Sequence, residues 1–476
     1  MTTTDTLDKF VSQLPKPMGR IHSAQLELSE PFIDVVSRFA DEPGTIALLS
    51  GGTFDSARYH ILGLRPWLSI RERDGNVVAD FLGGSASSNL DPFAVLEALV
   101  KRYALPGVEE TLPLSGGLLG YLAYDLKDCL EVLPRTSCDD LKLPRLYMSA
   151  PSILIVHDRR KENTTVHIPV LGDDDETARR RLAQFEQELS QCERPVRDAR
   201  ARVGRLMSGL SREEYIHAVE AIRDYIVRGH VYQVNMSQRF EAEFRGDPFA
   251  LFASMFEANP APFFAFIHAG DHQILSTSPE RFIELRGKTV ETRPIKGTRP
   301  RGKTAEQDQS MRRELETSCK DDAELSMIVD LLRNDIGKVC AAGSVHVSEH
   351  KRIEAYDNVY HLVSLVRGTL ADDKSAVDLI RATFPGGSIT GCPKIRSMEI
   401  IDELEPVRRH IYTGAIGYLG FRGTMDLSIA IRTATVADGR LLFSVGGGVV
   451  YDSKATDEFE ETLHKGRTLI GALERA

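Results

Sequence analysis

Four acidic residues form two pairs, each with the spacing of one helical turn. In CKDDAELSMIVDLLRND, residues 319–335, Asp321 and Glu324 stand at the edge of an apolar stripe made by Leu325, Ile328, Val329 and Leu332. Near the C-terminus Glu458 and Glu461 repeat the interval of three, and Lys465 follows Glu461 by four. Two such pairs on two helices suit a hard cation such as Mg²⁺, which takes a few carboxylates and keeps several of its waters. Taken singly, either pair also reads as a solvated helix face.

A lysine offers a second kind of chemistry. Lys296 lies in RPIKGTRPRG, residues 293–302, at a turn-prone strand end with Arg293, Arg299, Arg301 and Lys303 close in sequence. Withdrawn from water and crowded by cations, its amine would hold its proton less tightly and act as a nucleophile. A strand-end lysine reaching into solvent is the ordinary alternative. Sixteen residues earlier, in STSPERFIEL, Glu280 follows a Ser-Pro turn and precedes an apolar run. Partial burial there would raise its pKa towards that of a general acid, although surface glutamates are common at such turns.

Arg432, in SIAIRTATV, alternates with Leu427, Ile429 and Ile431 and is expected on the polar register of a strand. From a cleft its guanidinium would hold a carboxylate bidentately, and from an exposed sheet it would hold nothing. Two glycine-rich stretches, FPGGSITGCPKIRSMEIIDELEP (384–406) and VGGGVV (445–450), present backbone N–H groups that bind carboxylates or phosphates. Neither is a Walker or Rossmann pattern, so no nucleotide site is expected. His361, in VYHLVSLVRG, reads as part of an apolar helical stretch, where a lone histidine is more often core than catalyst.

The elements that must carry these residues have an α+β texture. Short strands in TIALLSGGTFDSARYHILGLRPWLSI (45–70) precede a helix DPFAVLEALVKRY capped by Asp91. Residues 173–193 read as a charged helix, and Ser211 with Glu214 forms a capping box for another. VYQVNMSQRF (231–240) alternates as a half-buried strand with a polar face, and three strand runs joined by RGT and ADG turns should pair antiparallel near the C-terminus. GLLGYLAYD (117–125) and GAIGYLGFR (414–422) echo one another, which suggests that both halves contribute similar strands to one structure. The basic stretch RPVRDARARVGR (194–205) is taken as a boundary, giving an N-terminal lobe 1–205 and a catalytic lobe 206–476.

A net charge of −10 argues against a nucleic-acid partner, while 42% hydrophobic residues over 476 positions supply an ample core. With no signal-like or membrane-length apolar run, a soluble cytoplasmic protein is expected. The six cysteines form no metal-like spacing and read as reduced, mostly buried residues.

Ten segments in order, among them GGLLGYLAYD, GHVYQVNMSQRF, SPERF, RPIKGTRPRG, AELSMIVDLLRNDIGKV, HLVSLVRG, GAIGYLGF, AIRTATV and the final EETLHKGR, resemble the chorismate-utilising enzymes over most of the chain. The resemblance implies a four-layer α/β/β/α fold of two large antiparallel sheets, with Mg²⁺ gripping the ring carboxylate of chorismate. Glu324 and Glu461 would be direct ligands, and Asp321 and Glu458 would hold metal-bound waters. Relatives usually carry glutamate where Asp321 stands. Arg432 and Tyr418 would hold the enolpyruvyl carboxylate. Lys465, Gly446, Gly447 and Gly448 would face the ring carboxylate, Ser388 and Thr390 would line the substrate, and His361 would lie near the ring.

Two positions distinguish the reactions of this family. Water-adding members resemble one another in a lysine base where this chain has Gln233. Anthranilate synthases resemble this stretch but typically read PIAGT, whereas PIKGT marks the aminodeoxychorismate synthase component I branch. The implied chemistry is addition of Lys296 to C2 of chorismate with Glu280 as general acid, then attack of ammonia at C4. A glutamine amidotransferase subunit would deliver that ammonia. IALLSGG (46–52), with Ser50, falls where relatives have a tryptophan pocket that reads closer to Leu-Leu-Glu-Ser. A structural tryptophan and an empty pocket are both compatible with it.

Overall fold

The computed structural model describes residues 3–16, 18–105, 112–171, 175–191, 195–197 and 202–475. Its strand ladders are antiparallel, and strand periodicity sorts most of their buried side chains into three apolar layers, with a further cluster where Val234, Met236 and Val449 meet helical Tyr215 and Met398. In the strand Gly117–Leu122, Leu118 and Leu122 pack with helical residues such as Phe93, Leu96 and Leu325, while Leu119 and Tyr121 face the other way. In Phe263–His268, Phe264 and Phe266 pack with helical residues such as Phe39 and Phe252, while Ala265 and Ile267 join Leu119 and Tyr121. No residue of that middle cluster is helical. Two sheets therefore meet face to face with helices outside each, which is the expected α/β/β/α order.

Two long strands, Tyr59–Arg73 and Leu146–Asp158, run through both sheets. Leu62, Leu64, Ile153 and Ile155 face the helices of one side, and Leu68, Ile70, Met148 and Ala150 face those of the other. The change falls at the irregular register between Pro66 and Leu68. The sequence echo becomes a direct pairing: Gly117–Leu122 lies antiparallel to Ala415–Gly420 with Gly120 opposite Gly417. A Cβ on Gly417 would stand 2.0 Å from the Asp426 carbonyl oxygen, so glycine lets the strands close there. Sheet hydrogen bonds thus join residues before position 205 to residues after it. Of the basic stretch, residues 194 and 198–201 lie outside the described residues, as do 173, 174, 192 and 193 of the charged helix, which spans Asp175–Gln191.

Four expectations need correction. His361 lies on a strand, Val359–Thr369, because β-branched and aromatic residues there pair with strands on both edges. The run SIAIRTATV is not one strand: Met425–Ile429 and Thr433–Ala437 pair with different neighbours, and Arg432 sits in the break at φ 51°. The polar face of VYQVNMSQ is not solvated, since Gln233, Asn235 and Ser237 are all buried. Among the described cysteines only Cys340 is buried, with Cys138 and Cys319 exposed; Cys192 lies outside the described residues.

Candidate active site

Glu280 and Arg432 occupy matching bends. His272–Ser278 pairs with Thr433–Ala437 and Arg281–Arg286 pairs with Met425–Ile429, leaving Glu280 on one side of the break and Arg432 on the other. The Ile429 N–H donates to the Glu280 carbonyl at 3.0 Å, and the Thr277 N–H donates to the Arg432 carbonyl at 3.0 Å. A non-glycine residue at positive φ is strained by about 1–3 kcal/mol, so the surrounding ladders must hold Arg432 in place. Its guanidinium makes no hydrogen bond or ion pair with any described residue, and burial lowers its pKa despite the charge of Glu280. Arg432 is half-buried, so its cation is only partly solvated, and an anionic ligand would compensate it.

Glu280 is buried, and its Oε1 accepts from Ser388 Oγ at 2.8 Å. Burial pushes its carboxyl up to about 7, partly opposed by the Ser388 hydrogen bond and by the charges of Lys296 and Arg432. Buried Arg409 holds the Ser388 turn by donating to the Ile389 carbonyl at 3.1 Å, while its second amine donates to the Asn235 carbonyl at 2.6 Å. The Thr390 hydroxyl is turned inward, donating to the Gly386 carbonyl at 3.0 Å.

Lys296 lies on Ile295–Pro300, paired with the His361 strand through an irregular register between Lys296 and Thr298. Gly297 makes that kink at φ 73°, and a Cβ on it would stand 2.8 Å from Leu315 Cδ1 and 3.0 Å from Asp321 Cγ. Only glycine both takes this conformation easily and lets the Asp321 helix approach. Lys296 is half-buried, and its amine has no hydrogen bond or ion pair with any described residue. Burial lowers its pKa and Lys465 adds to the effect, against the pull of Glu324, Glu280 and Glu461.

The three glycines form a bare ribbon on Arg440–Val449, with Gly446, Gly447 and Gly448 opposite Ser237, Met236 and Asn235. A Cβ on Gly448 would stand 2.0 Å from Gln233 Nε2 and 3.5 Å from Lys296 Nζ. On Gly447 it would stand 3.1 Å from Glu458 Oε2 and 3.7 Å from Lys465 Nζ. Side chains at these positions would fill the space between the two amines and the carboxylates.

The acidic pairs sit on Cys319–Gly337 and Ala455–Arg475. Glu461 is bonded to Lys465 at 2.7 Å, Glu458 accepts from Ser453 Oγ at 2.6 Å, and Asp321 is bonded to Arg299 at 3.0 Å. As placed, no three acidic, histidine or cysteine side chains among the described residues stand close enough to share one ion. The donors nevertheless fit a hard cation: burial raises the Glu458 pKa, and the like charge of Glu461 adds to it. Glu324 and Glu461 both act on the Lys296 amine, so helices far apart in sequence address one space.

His361 is buried with Nδ1 3.0 Å from Thr298 Oγ1 and Nε2 unpartnered. Burial, with Arg432 adding, pushes it down to about 3, so the imidazole is neutral at working pH and suits hydrogen bonding better than proton donation. Tyr356, missed in the sequence, packs its ring 5.0 Å from that of His361 and leaves a buried hydroxyl unpartnered. Gln233 Oε1 and Asn235 Oδ1 are likewise buried and unpartnered. The strict alternation of VYQVNMSQ was the available signal, but only the structure turns its polar side inward.

Tyr418 is not among this group. On its strand it shares the face of Ile416, which looks into the layer between the sheets, and it lines a separate cavity with Ser50, Tyr59, Arg286 and Asp426. None of the residues placed around Lys296 lines that cavity.

Residues 67–471 match the family described as chorismate binding enzyme. Aminodeoxychorismate synthase component 1 of Klebsiella aerogenes is 44% identical over 391 residues, covering 82% of this chain and 84% of that one. Anthranilate synthase component 1 of Cereibacter sphaeroides is 40% identical over 394 residues, covering 81% and 79%. The crystal structure of anthranilate synthase component I from Streptococcus pneumoniae superposes with a TM-score of 0.78 at 32% identity, over 88% of this chain and 93% of that one.

Proposed function

The chain belongs to the chorismate-binding enzymes, and from that premise we propose that it converts chorismate and ammonia to 4-amino-4-deoxychorismate, as aminodeoxychorismate synthase component I. The observation that carries this reading is the half-buried amine of Lys296, unpartnered among the described residues, near the buried carboxyl of Glu280, which burial pushes up to about 7. Neutral Lys296 adds to C2 of chorismate while Glu280 gives its proton to the departing C4 hydroxyl, which leaves as water. Ammonia then bonds to C4, the C2–N electron pair returns to Lys296, and the new ammonium gives a proton to Glu280.

Arg432 would pair with the enolpyruvyl carboxylate, with neutral His361 near the ring. Lys465 and the amides of Gly446, Gly447 and Gly448 would face the ring carboxylate, and Ser388 would hold Glu280 in register. Glu324 and Glu461 would hold Mg²⁺ with Asp321 and Glu458 behind them, and the bound ion would neutralise that ring carboxylate. The name component 1 borne by the relatives supports a second component, and we assign it as a glutamine amidotransferase that supplies ammonia.

Anthranilate synthase is the neighbouring reading, given relatives of that name at similar identity, and Lys296 argues against it because those enzymes typically carry a small residue there. Incubation with chorismate, Mg²⁺ and an ammonium salt, followed by mass spectrometry, tests the choice. Aminodeoxychorismate as the main product supports the reading, and anthranilate with pyruvate, or isochorismate, refutes it.

A further inference from the structure

We propose that the buried ion pair of Glu405 and Arg409 is a positioning device for the site, holding the turn that carries Ser388 and the strand that faces the glycine ribbon in one frame. The inference rests on the amination reading above, in which Ser388 orients the acid Glu280. Both side chains are buried, and they stand between the helix Lys394–Leu404 and the strand Ala415–Gly420. Arg409 Nε donates to Glu405 Oε2 at 2.8 Å and Nη2 donates to Oε1 at 2.7 Å, a two-pronged contact. The rings of Tyr124 and Tyr412 flank the guanidinium at 4.9 and 5.8 Å.

The remaining N–H groups of Arg409 go to the walls of the site. Nη2 also donates to the Asn235 carbonyl at 2.6 Å, and Nη1 donates to the Ile389 carbonyl at 3.1 Å and to Thr413 Oγ1 at 3.3 Å. All five N–H groups are thereby used, which leaves none for a ligand. Glu405 Oε1 accepts from the N–H and the hydroxyl of Ser237 at 2.9 and 2.8 Å. Asn235 and Ser237 stand opposite Gly448 and Gly446, while Ile389 directly follows Ser388. The turn is also pressed by the helix of Asp321 and Glu324, since a Cβ on Gly387 would stand 2.4 Å from Leu331 Cδ2. One ion pair thus sets how far the partner of the ribbon stands from the residue that orients Glu280.

Stability alone explains this arrangement less well. Desolvating two charges cancels much of their attraction, so a buried pair is weak support for a fold. With every donor satisfied it does something apolar packing does not: the planar fork fixes the angle between the elements it joins. A lysine in its place would keep the charge and lose the fork. The effect reaches Glu280 through Ser388, whose hydrogen bond holds that carboxyl below where burial alone would put it. The groups that face Glu280 directly are Lys296, Arg432 and the hydroxyl of Tyr356, and the substitution leaves each of them in place.

The test is the pH profile of kcat at saturating chorismate and ammonium, on wild type and Ser388→Ala, each with and without Arg409→Lys or Glu405→Asp. Arg409→Lys is expected to lower kcat about tenfold near neutrality and to move the alkaline limb up by about half a pH unit, with the KM for chorismate changing about threefold or less. In the Ser388→Ala background the same substitution is expected to leave the limb where Ser388→Ala puts it, because the hydrogen bond it acts through is gone. A limb that stays in place in Arg409→Lys overturns the proposal, as does an equal movement in both backgrounds. Glu405→Asp keeps the charge, draws the carboxylate back by one methylene and should move the limb the same way, so it decides if Arg409→Lys fails to fold. If neither variant folds, the pair serves the fold and not the site, and the proposal falls. If wild type makes anthranilate, the functional reading falls while the limb still reads the pair. If wild type shows no alkaline limb, the acid role of Glu280 falls and the proposal with it.

Discussion

Replacing Glu280 by glutamine should stabilise the protein while disabling it, and the gain should depend on pH in a defined way. The folded-state pKa of about 7 lies above the ordinary 4.5. Below 4.5 the carboxyl is protonated in both folded and unfolded chains, so burial brings no penalty. Between 4.5 and 7 the unfolded chain ionises first, and stability falls as pH rises. Above 7 the penalty is complete, and at about 1.4 kcal/mol per pH unit the gap amounts to about 3 kcal/mol. Glutamine is neutral throughout and still accepts from Ser388. With an unfolding entropy of about 1 kcal/mol/K for a chain of this length, Glu280→Gln should melt about 3 °C above wild type at pH 8.5 and level with it near pH 4. Turnover should fall by about 10²–10⁴ because the proton donor is gone. Differential scanning calorimetry across this pH range reads the effect. A difference independent of pH, or a wild type more stable than the variant at pH 8.5, would refute the account of Glu280.

Ser388→Ala removes a hydrogen bond that lowers the Glu280 pKa, so the alkaline limb of the kcat profile should move up by about one pH unit. Arg432→Ala should raise the KM for chorismate about a hundredfold through loss of a charged, two-pronged contact, measured beside an unchanged or higher melting temperature once the unpaired cation is gone. Gly448→Ala places a methyl group 2.0 Å from Gln233 Nε2 and should lower kcat about a hundredfold with the fold intact by circular dichroism. Chelation by EDTA should stop product formation and Mg²⁺ should restore it, with Glu461→Gln needing more of the ion than wild type.

Helices and their caps were the most legible parts of the sequence. Ser211 and Glu214 do form a capping box, the Asp91 side chain accepts from the Phe93 N–H, and the stripe Leu325, Ile328, Val329 and Leu332 is buried as its spacing predicts. These signals are local, written within one or two turns. VYHLVSLV around His361 carries no alternation and so reads like a helix, and that is how a strand covered on both faces looks. The break at Arg432 was invisible because it depends on strands near residues 280 and 435 choosing different partners. The motif of Tyr418 lies beside the catalytic segments in sequence, while its strand face looks between the sheets, a placement that local spacing does not show. The inward turn of Gln233 and Asn235 required the glycine ribbon to be laid across them.

The central claim is that Lys296 bonds to the ring. Wild-type protein mixed with chorismate and Mg²⁺ without ammonia, acid-quenched and digested, should show a peptide containing Lys296 heavier by chorismate less one water. Addition of ammonium before the quench should remove that adduct as aminodeoxychorismate forms. Formation of aminodeoxychorismate at an undiminished rate by Lys296→Ala, or an adduct on another residue, would contradict it.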